Sequence, residues 1–428
     1  MKKKIGITLA VVVLLVCVIS VAALAGCKEK VTAENAQAAT EANWAEIDNK
    51  SATTTVNINN AEIALGVNGN SKAVSITASA QVTLNRTWEN GVLTIDVTAK
   101  PTAVDLSIDL NGDGSDDLGS AVKSVLTELN AVNLDKLTGL EFKAQAFYNY
   151  GSEAKTIGVR NMTVSGLASA IPAVVSSNPT ANITDQPYTI KFMNADSGQY
   201  ESEVSFDLAS IDLSGAQAIL DSVFGKDYNL DLVGIIEGLL LNQTMLDFSN
   251  ATSAAYADGQ YQNNVKVTDN LNFITEIWNQ INDKGKAFVG TMLEGASITV
   301  DDKGNKDPDD DVKIMIGNVL KNILGVTSLN NVLPDLLGKV EGTMSVSGAV
   351  EDGIFTSLNA TLSGTRIALT QANVEYIINN VVNVVLPTIG NIPGSVTDII
   401  NQVLPVITEG SAYVSLGTIT VNSTFATA

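Results

Sequence analysis

Histidine is absent from the 428 residues of this chain. Without an imidazole there is no Ser-His-Asp or Cys-His catalytic group, no histidine general base and no histidine ligand for zinc. Aromatic residues make up only 5% of the sequence, too few to favour a sugar-binding surface built from exposed rings. Histidine-dependent catalysis is therefore excluded, and aromatic carbohydrate recognition is disfavoured.

Cysteine is nearly as scarce, since Cys17 and Cys27 are the only two in the chain. Residues 28–428 therefore contain neither a free thiol nor a disulfide. Disulfides are the usual substitute for a large apolar core in small secreted domains. The body of this protein must instead be stabilised by an ordinary core, and the chain is long enough for two domains.

Positive charge is also sparse, because 46 Asp and Glu residues outnumber 25 Lys and Arg residues. The formal charge is −21, and it becomes −24 when the three lysines at positions 2–4 are left out. Such a charge repels nucleic acid and anionic lipid headgroups. We therefore expect no nucleic-acid partner and an acidic surface that favours cations and solubility.

The N-terminus carries the clearest motif. Three lysines at positions 2–4 precede an almost wholly apolar run over residues 5–24, and small residues then lead to Cys27. This order is typical of a secretory signal peptide. The ending Leu24-Ala25-Gly26-Cys27 resembles the lipobox of bacterial lipoproteins. The alternative is an uncleaved transmembrane anchor, which would leave the small residues before Cys27 unexplained.

The lipobox resemblance implies cleavage after Gly26, diacylglycerol on the Cys27 thiol and further acyl groups on the new amine. Residues 1–26 would be the signal peptide, and residues 27–50 the lipidated N-terminus and tether. Several acyl chains give stable membrane anchoring. In bacteria with two membranes, Asp after the lipidated Cys favours inner-membrane retention, and this chain has Lys28 there. We expect a lipid-anchored protein of the cell envelope, in the outer membrane if the organism has two membranes.

Alternating apolar and polar residues dominate the chain from about residue 51, which is typical of β-strands with one solvated face. Residues 118–132, 312–324 and 374–407 instead carry apolar residues at helical spacing. We predict an α+β fold in which antiparallel sheets pack with amphipathic apolar helices. Two domains, residues 51–255 and 256–428, are predicted as pseudo-repeated halves, and one large α+β domain is the alternative.

Turn residues place several strand boundaries. Glu89-Asn90-Gly91 and Glu351-Asp352-Gly353 each separate two alternating runs, so each predicts a hairpin turn. Further strands are predicted near residues 140–148, 156–164, 188–192 and 203–213. A helix is predicted from Val312, and a strand hairpin over residues 413–425 is predicted to close the fold.

An acidic loop over residues 109–117 is the best candidate for an ion site. Oxygen side chains fall at its first, third, fifth and ninth positions with Gly112 and Gly114 between them, a spacing that suits calcium. The pattern resembles the calcium loops of dockerins, thrombospondin-type repeats and integrin-like propeller repeats. The predicted ligands are Asp109, Asn111, Asp113, Ser115 and Asp117. The alternative is a solvated turn in which Asp116 or Asp117 caps the following helix.

A second acidic loop, residues 301–311, matches the first in position, but Lys303 and Lys306 interrupt its ligand pattern. We interpret it as a solvated loop that caps the next helix. Asp309 is therefore not expected to bind calcium.

The sequence favours a non-enzymatic binding or structural role. Ser120 and Ser152 each begin a Ser-x-x-Lys sequence, but the partner motifs of penicillin-binding proteins are absent, so we interpret both as chance matches. One alternative is a lipid or apolar-ligand binding protein, since two halves with apolar helices resemble the tubular bactericidal/permeability-increasing type. A second is a carboxylate-dependent hydrolase. The expected partners are the membrane, through the lipid anchor, and an apolar ligand or an envelope protein.

Overall fold

A large antiparallel sheet forms the main part of the computed structural model. The structure describes residues 52–67, 70–109, 111–128, 133–170, 180–182, 188–193, 200–206, 210–224, 231–234, 256–257, 260–266, 275, 278–279, 281–300, 312–351, 354–369, 374 and 412–425. The predicted signal peptide, the tether, Cys27 and the loop over residues 301–311 lie outside these ranges.

The strands alternate apolar and polar residues, as the sequence predicts for half-buried strands. They are β1 (Ala52–Val67), β2 (Asn70–Glu89), β3 (Val92–Ile108), β4 (Glu141–Asn149), β5 (Thr156–Ser165), β6 (Thr180–Asn182), β7 (Tyr188–Met193), β8 (Tyr200–Phe206), β9 (Ile211–Asp212), β10 (Tyr256–Ala257), β11 (Gln260–Lys266), β12 (Ser297–Val300), β13 (Val312–Met315), β14 (Glu341–Glu351), β15 (Ile354–Leu369) and β16 (Ala412–Phe425).

The described helices are short and lie between the strands. They are α1 (Gly119–Glu128), α2 (Leu167–Ala170), α3 (Leu213–Phe224), α4 (Asp283–Gly295), α5 (Ile316–Leu324) and α6 (Val332–Lys339), with a 3-10 turn at Leu134–Gly139. Within the described ranges, no helix combines the length and the apolar content needed to cross a membrane.

The main sheet contains 12 of the described strands, in the order β10-β11-β14-β15-β16-β1-β2-β3-β4-β5-β6, with β9 also paired to β5. Every pairing in it is antiparallel. Two further pairs, β12 with β13 and β7 with β8, form separate small sheets. The α+β class is therefore confirmed, with sheet as the larger part of what is described.

Strands distant in sequence meet at the centre of this sheet. Val56 of β1 lies opposite Val421 of β16, and Thr54 and Ser423 share a buried 2.9 Å hydrogen bond. This pairing joins strands from both predicted halves into one sheet. The division at residues 255 and 256 and the pseudo-repeat stay predictions.

The buried residues of β2 switch from one face of the strand to the other along its length. Toward its end, the even-numbered residues from Val82 to Trp88 are buried, as alternation predicts. Near its start, Ala73 and Ser75 are buried instead, while Ile76 is 47% exposed. The register of β2 with both β1 and β3 shifts between these stretches. The apolar residues of β2 therefore do not form one continuous buried face.

Three predicted elements are wrong in detail. The strand predicted near residues 203–213 differs because β8 ends at Phe206 and Leu213 is already the first residue of α3. Residues 413–425 are not a hairpin, because Gly417, at a φ of 67°, lies inside the continuous strand β16, where the β15 pairing shifts register. The helix predicted from Val312 begins at Ile316, since residues 312–315 form β13 and pair with β12. The error in the hairpin arises from pairing with the distant strands β1 and β15, and the error in the helix start from pairing with the preceding strand β12.

The helices α4, α5 and α6 surround a separate apolar cluster. Its buried members are Trp278, Ile281, Leu324, Leu329 and Val332. Lys321 of α5 and Glu294 of α4 form an ion pair at 2.7 Å beside this cluster. Burial of these side chains stabilises the three helices against one another, because each is too short to be stable alone.

Candidate functional site

The acidic loop over residues 109–117 joins the end of β3 to the start of α1. Asp109 is buried, and its backbone amide donates to the Ala73 carbonyl at 2.8 Å. Its carboxylate accepts hydrogen bonds from the amides of Gly112 at 2.7 Å and Gly114 at 3.0 Å. Gly112 and Gly114 have φ values of 79° and 83°, which glycine adopts most readily. The loop backbone therefore curves around the Asp109 carboxylate, which accepts its amide hydrogen bonds.

The other predicted ligands lie on the exposed part of the loop. Asn111 Oδ1 accepts from the Asp113 amide at 2.9 Å, and Asn111 Nδ2 donates to Asp117 Oδ1 at 3.3 Å. Asp113 accepts from the amide of Ser115 at 2.8 Å and from its hydroxyl. These hydrogen bonds lower the pKa of the Asp113 carboxyl. All five predicted ligands thus lie in one short loop, and internal hydrogen bonds hold it.

Asp116, which the calcium pattern leaves out, makes the most hydrogen bonds in this region. Its Oδ1 accepts from the amides of Ile108 at 3.0 Å and Gly119 at 2.7 Å. Its Oδ2 accepts from the amide and the hydroxyl of Ser120, both at 2.8 Å. The Ile108 amide is the main reason why the pKa of Asp116 is lowered to about 2. Asp116 is therefore a helix-capping residue, as one of the two sequence interpretations predicts.

The side-chain oxygens of this loop are the ligand type that calcium prefers. Each carboxylate can accept more hydrogen bonds or metal contacts than the loop uses. Among the described residues, however, no three acidic or sulfur-bearing side chains are grouped closely enough to share a metal ion. The chemistry of the set fits calcium, and the site itself stays a prediction.

The serines that begin the Ser-x-x-Lys sequences have structural partners. Ser120 donates to Asp116, while Lys123 forms an ion pair with Asp105 at 2.5 Å. The Ser152 hydroxyl donates to the Ala154 carbonyl. These contacts are typical of a helix cap and a turn.

Glu62 lies in a polar network that crosses the central strands. It accepts from the Tyr413 hydroxyl at 2.6 Å and pairs with Lys72 at 3.0 Å, and Arg366 stacks on the Tyr413 ring at 3.8 Å. Burial raises the pKa of Glu62, but the hydrogen bonds from Tyr413 and Lys72 outweigh it and lower the pKa overall. Glu62 is thus stabilised in its charged form.

A site that the sequence did not reveal lies on β2. Arg86 is only 5% exposed, and none of its three guanidinium nitrogens has a hydrogen-bond partner in the described structure. The guanidinium lies 4.8 Å from the centre of the Trp88 ring. The Trp88 Nε1 group is also buried without a partner, and its ring meets Tyr150 edge-on at 5.3 Å. Four donor nitrogens, three on Arg86 and one on Trp88, are therefore buried close together without an acceptor among the described residues.

The residues paired directly with Arg86, and the nearest one on the same face of β2 before it, are apolar. Across the sheet it is paired directly with Ala52 of β1 and Ile95 of β3, and Leu84 lies two residues away on β2; all three are buried. Burial lowers the pKa of Arg86 to about 9, so the group stays positively charged at neutral pH. An unpaired buried charge of this kind is costly to the fold.

The chain was compared with protein-family models, with curated proteins and with solved structures, and none of the three comparisons gave a match.

Proposed function

We propose that this protein is a lipoprotein of the bacterial cell envelope that acts by binding or as a structural component, and not by catalysis. The observation that carries the proposal is the order of basic residues, apolar run and Leu24-Ala25-Gly26-Cys27. The absence of histidine supports the non-enzymatic role, because it removes the commonest general base.

The start of the sheet agrees with this arrangement. Strand β1 begins at Ala52, so residues 28–51 separate the lipidated Cys27 from the first strand. Fully extended, a segment of that length spans at most about 85 Å. The sheet would therefore lie within that distance of the membrane surface and contact partners there.

Replacing the lipidated residue tests the proposal. Cys27→Ser should abolish labelling by radioactive palmitate and leave the precursor uncleaved, since the acceptor thiol is gone. Cys17→Ser is the matched control, because it removes a thiol from the apolar run and should leave labelling intact. Palmitate incorporation into the Cys27→Ser protein would contradict the proposal.

Calcium is proposed as a structural cofactor of the loop over residues 109–117. Asp109, Asn111, Asp113, Ser115 and Asp117 would supply its oxygen ligands. A bound cation would offset the repulsion between carboxylates confined to one loop. The loop ends where α1 begins, so the ion would stabilise the junction between β3 and α1.

A second candidate function is the binding of an apolar ligand. The observation that favours it is the set of donors on Arg86 and Trp88, which are buried beside apolar side chains and have no acceptor in the part of the chain that the structure describes. Binding sites for small molecules are mostly apolar, with a few polar groups that fix the orientation of the ligand. The carboxylate-dependent hydrolase remains a prediction of the sequence alone.

A further inference from the structure

We infer that Arg86 and Trp88 form an anion-binding site for the carboxylate of an amphipathic molecule, such as a fatty acid, whose apolar chain lies along the neighbouring side chains. This inference deepens the second candidate function. It does not depend on the lipidation of Cys27.

The donors of Arg86 and Trp88 lack hydrogen-bond acceptors in the described structure. Buried polar groups in folded proteins are nearly always hydrogen-bonded, and an unsatisfied charged group is especially costly. The Arg86 Nε, Nη1 and Nη2 atoms and the Trp88 Nε1 atom are all donors without a partner in the described structure. A ligand that satisfies them must bring acceptors and no competing donors. A carboxylate does so, and a guanidinium group can bind both of its oxygens at once.

The positive charge of the Arg86 guanidinium also favours an anionic ligand. The described side chains nearest to Arg86 in the sheet, Ala52, Leu84 and Ile95, carry no charge that could balance the guanidinium. A carboxylate carries one negative charge and would neutralise the site. A phosphate dianion would leave an uncompensated negative charge in apolar surroundings, which is unfavourable. The charge of the site therefore favours a monoanion, such as a carboxylate, over a phosphate dianion.

Apolar side chains of β2 and β3 flank the two donor residues. Around the two donor residues, Leu84, Leu93, Ile95 and Val97 are buried on neighbouring positions of β2 and β3. Trp88 is held by Tyr150, which fixes the indole beside the guanidinium. An apolar chain attached to the carboxylate would meet only apolar side chains at these positions, as ligands do in most small-molecule sites.

The experiment uses the full chain in phosphatidylcholine nanodiscs and laurate labelled with carbon-13 at its carboxyl carbon. Carbon NMR should show a carboxyl resonance that empty nanodiscs with the same laurate do not give. Arg86→Met should weaken binding about ten- to hundredfold, since it removes the charged donors but keeps a long apolar side chain. Arg86→Lys should bind with intermediate affinity, because it keeps the charge and loses the planar fork.

Arg160→Met is the matched control. Arg160 also lies over an aromatic ring, that of Phe147 at 5.0 Å, but it is exposed and donates to Gln145. Its replacement should leave laurate binding unchanged. A comparable loss of binding in the Arg86→Met and Arg160→Met proteins would overturn the inference.

Melting temperatures separate a ligand site from a structural arginine. Without laurate, Arg86→Met should melt no lower than the wild type, because it removes a buried charge that has no acceptor. A large decrease would show that Arg86 stabilises the fold, and would overturn the inference. Dodecanol has the same apolar chain without the carboxylate. Equal binding of dodecanol and laurate would keep the apolar-ligand function but would overturn the anion site.

Discussion

Asp116 Oδ1 accepts a hydrogen bond from the Ile108 amide at 3.0 Å, so one carboxylate connects the last residue of β3 with the first turn of α1. The same carboxylate also accepts from the amides of Gly119 and Ser120. This links the acidic loop to the sheet at its base, whether or not an ion is bound.

Removing this carboxylate should destabilise the protein in the absence of calcium. Asp116→Ala leaves the first amides of α1 without their side-chain acceptor, at a cost of about 1 kcal/mol. Urea unfolding in chelator, followed by circular dichroism, measures the change. Asp135→Ala removes an exposed carboxylate from a 3-10 turn and should have a smaller effect. Equal effects of the two substitutions would mean that Asp116 does not stabilise the junction.

The contribution of Asp116 should depend on pH in a defined direction. Its pKa is lowered to about 2 in the folded protein, from about 3.9 in an unfolded chain. A lowered pKa stabilises the fold above the unfolded value, and the effect is lost as pH falls toward the folded value. The difference in urea midpoint between wild type and Asp116→Asn should thus be full at pH 6 and smaller near pH 2.5. A difference that stays constant over this range would contradict the prediction.

Calcium should raise the melting temperature of the protein. An ion bound to the folded loop would contribute about 2.7 kcal/mol at about a hundredfold excess over its dissociation constant. Magnesium should contribute less, because it requires tighter octahedral geometry. Asp113→Ala should remove most of the calcium-dependent shift, while Asp309→Ala should leave it largely intact. Identical melting in calcium and in chelator would mean that the loop binds no calcium.

Two glycine substitutions should change stability in opposite directions. Gly417 has a φ of 67°, and a Cβ atom there would lie 2.5 Å from the Asn60 carbonyl carbon, so Gly417→Ala should cost about 1–3 kcal/mol. Gly338 lies within helix α6, and an added Cβ meets no atom within 4 Å. Gly338→Ala should therefore stabilise the protein by about 0.5–1 kcal/mol. Chemical unfolding of both variants tests the pair, and a stable Gly417→Ala protein would contradict the close contact at β1.

The local sequence pattern was sufficient to predict much of the sheet. The turn at Asn90 and Gly91 was predicted from a dipeptide, and both residues have the positive φ values that a tight hairpin requires. Strands β4 and β5 lie within one residue of their predicted ranges, because alternation is a strong signal where one face is buried. The capping role of Asp116 or Asp117 was likewise visible as one of two interpretations.

Features that depend on distant residues were not predictable. Glycine is typical of turns, so the sequence predicts a turn at Gly417. The pairing of β16 with β1 and β15 instead places Gly417 inside a strand. Arg86 is charged, and a sequence pattern places charged residues on the surface. Its burial depends on tertiary packing that the sequence pattern does not contain. Ile76 fits the apolar alternation of β2, yet it is exposed, since burial changes sides along the strand.

The pairing of β1 with β16 also sets the order in which the sheet can form. Thr54 and Ser423 are separated by 369 residues, so β1 can pair early with β2 but must wait for β16. Until then one edge of β1 has unpaired amides and carbonyls, which favour pairing with other chains. The proposed export as an unfolded chain would keep that edge open through most of translocation. We therefore expect this protein to need a chaperone more than one whose sheet forms from neighbouring strands.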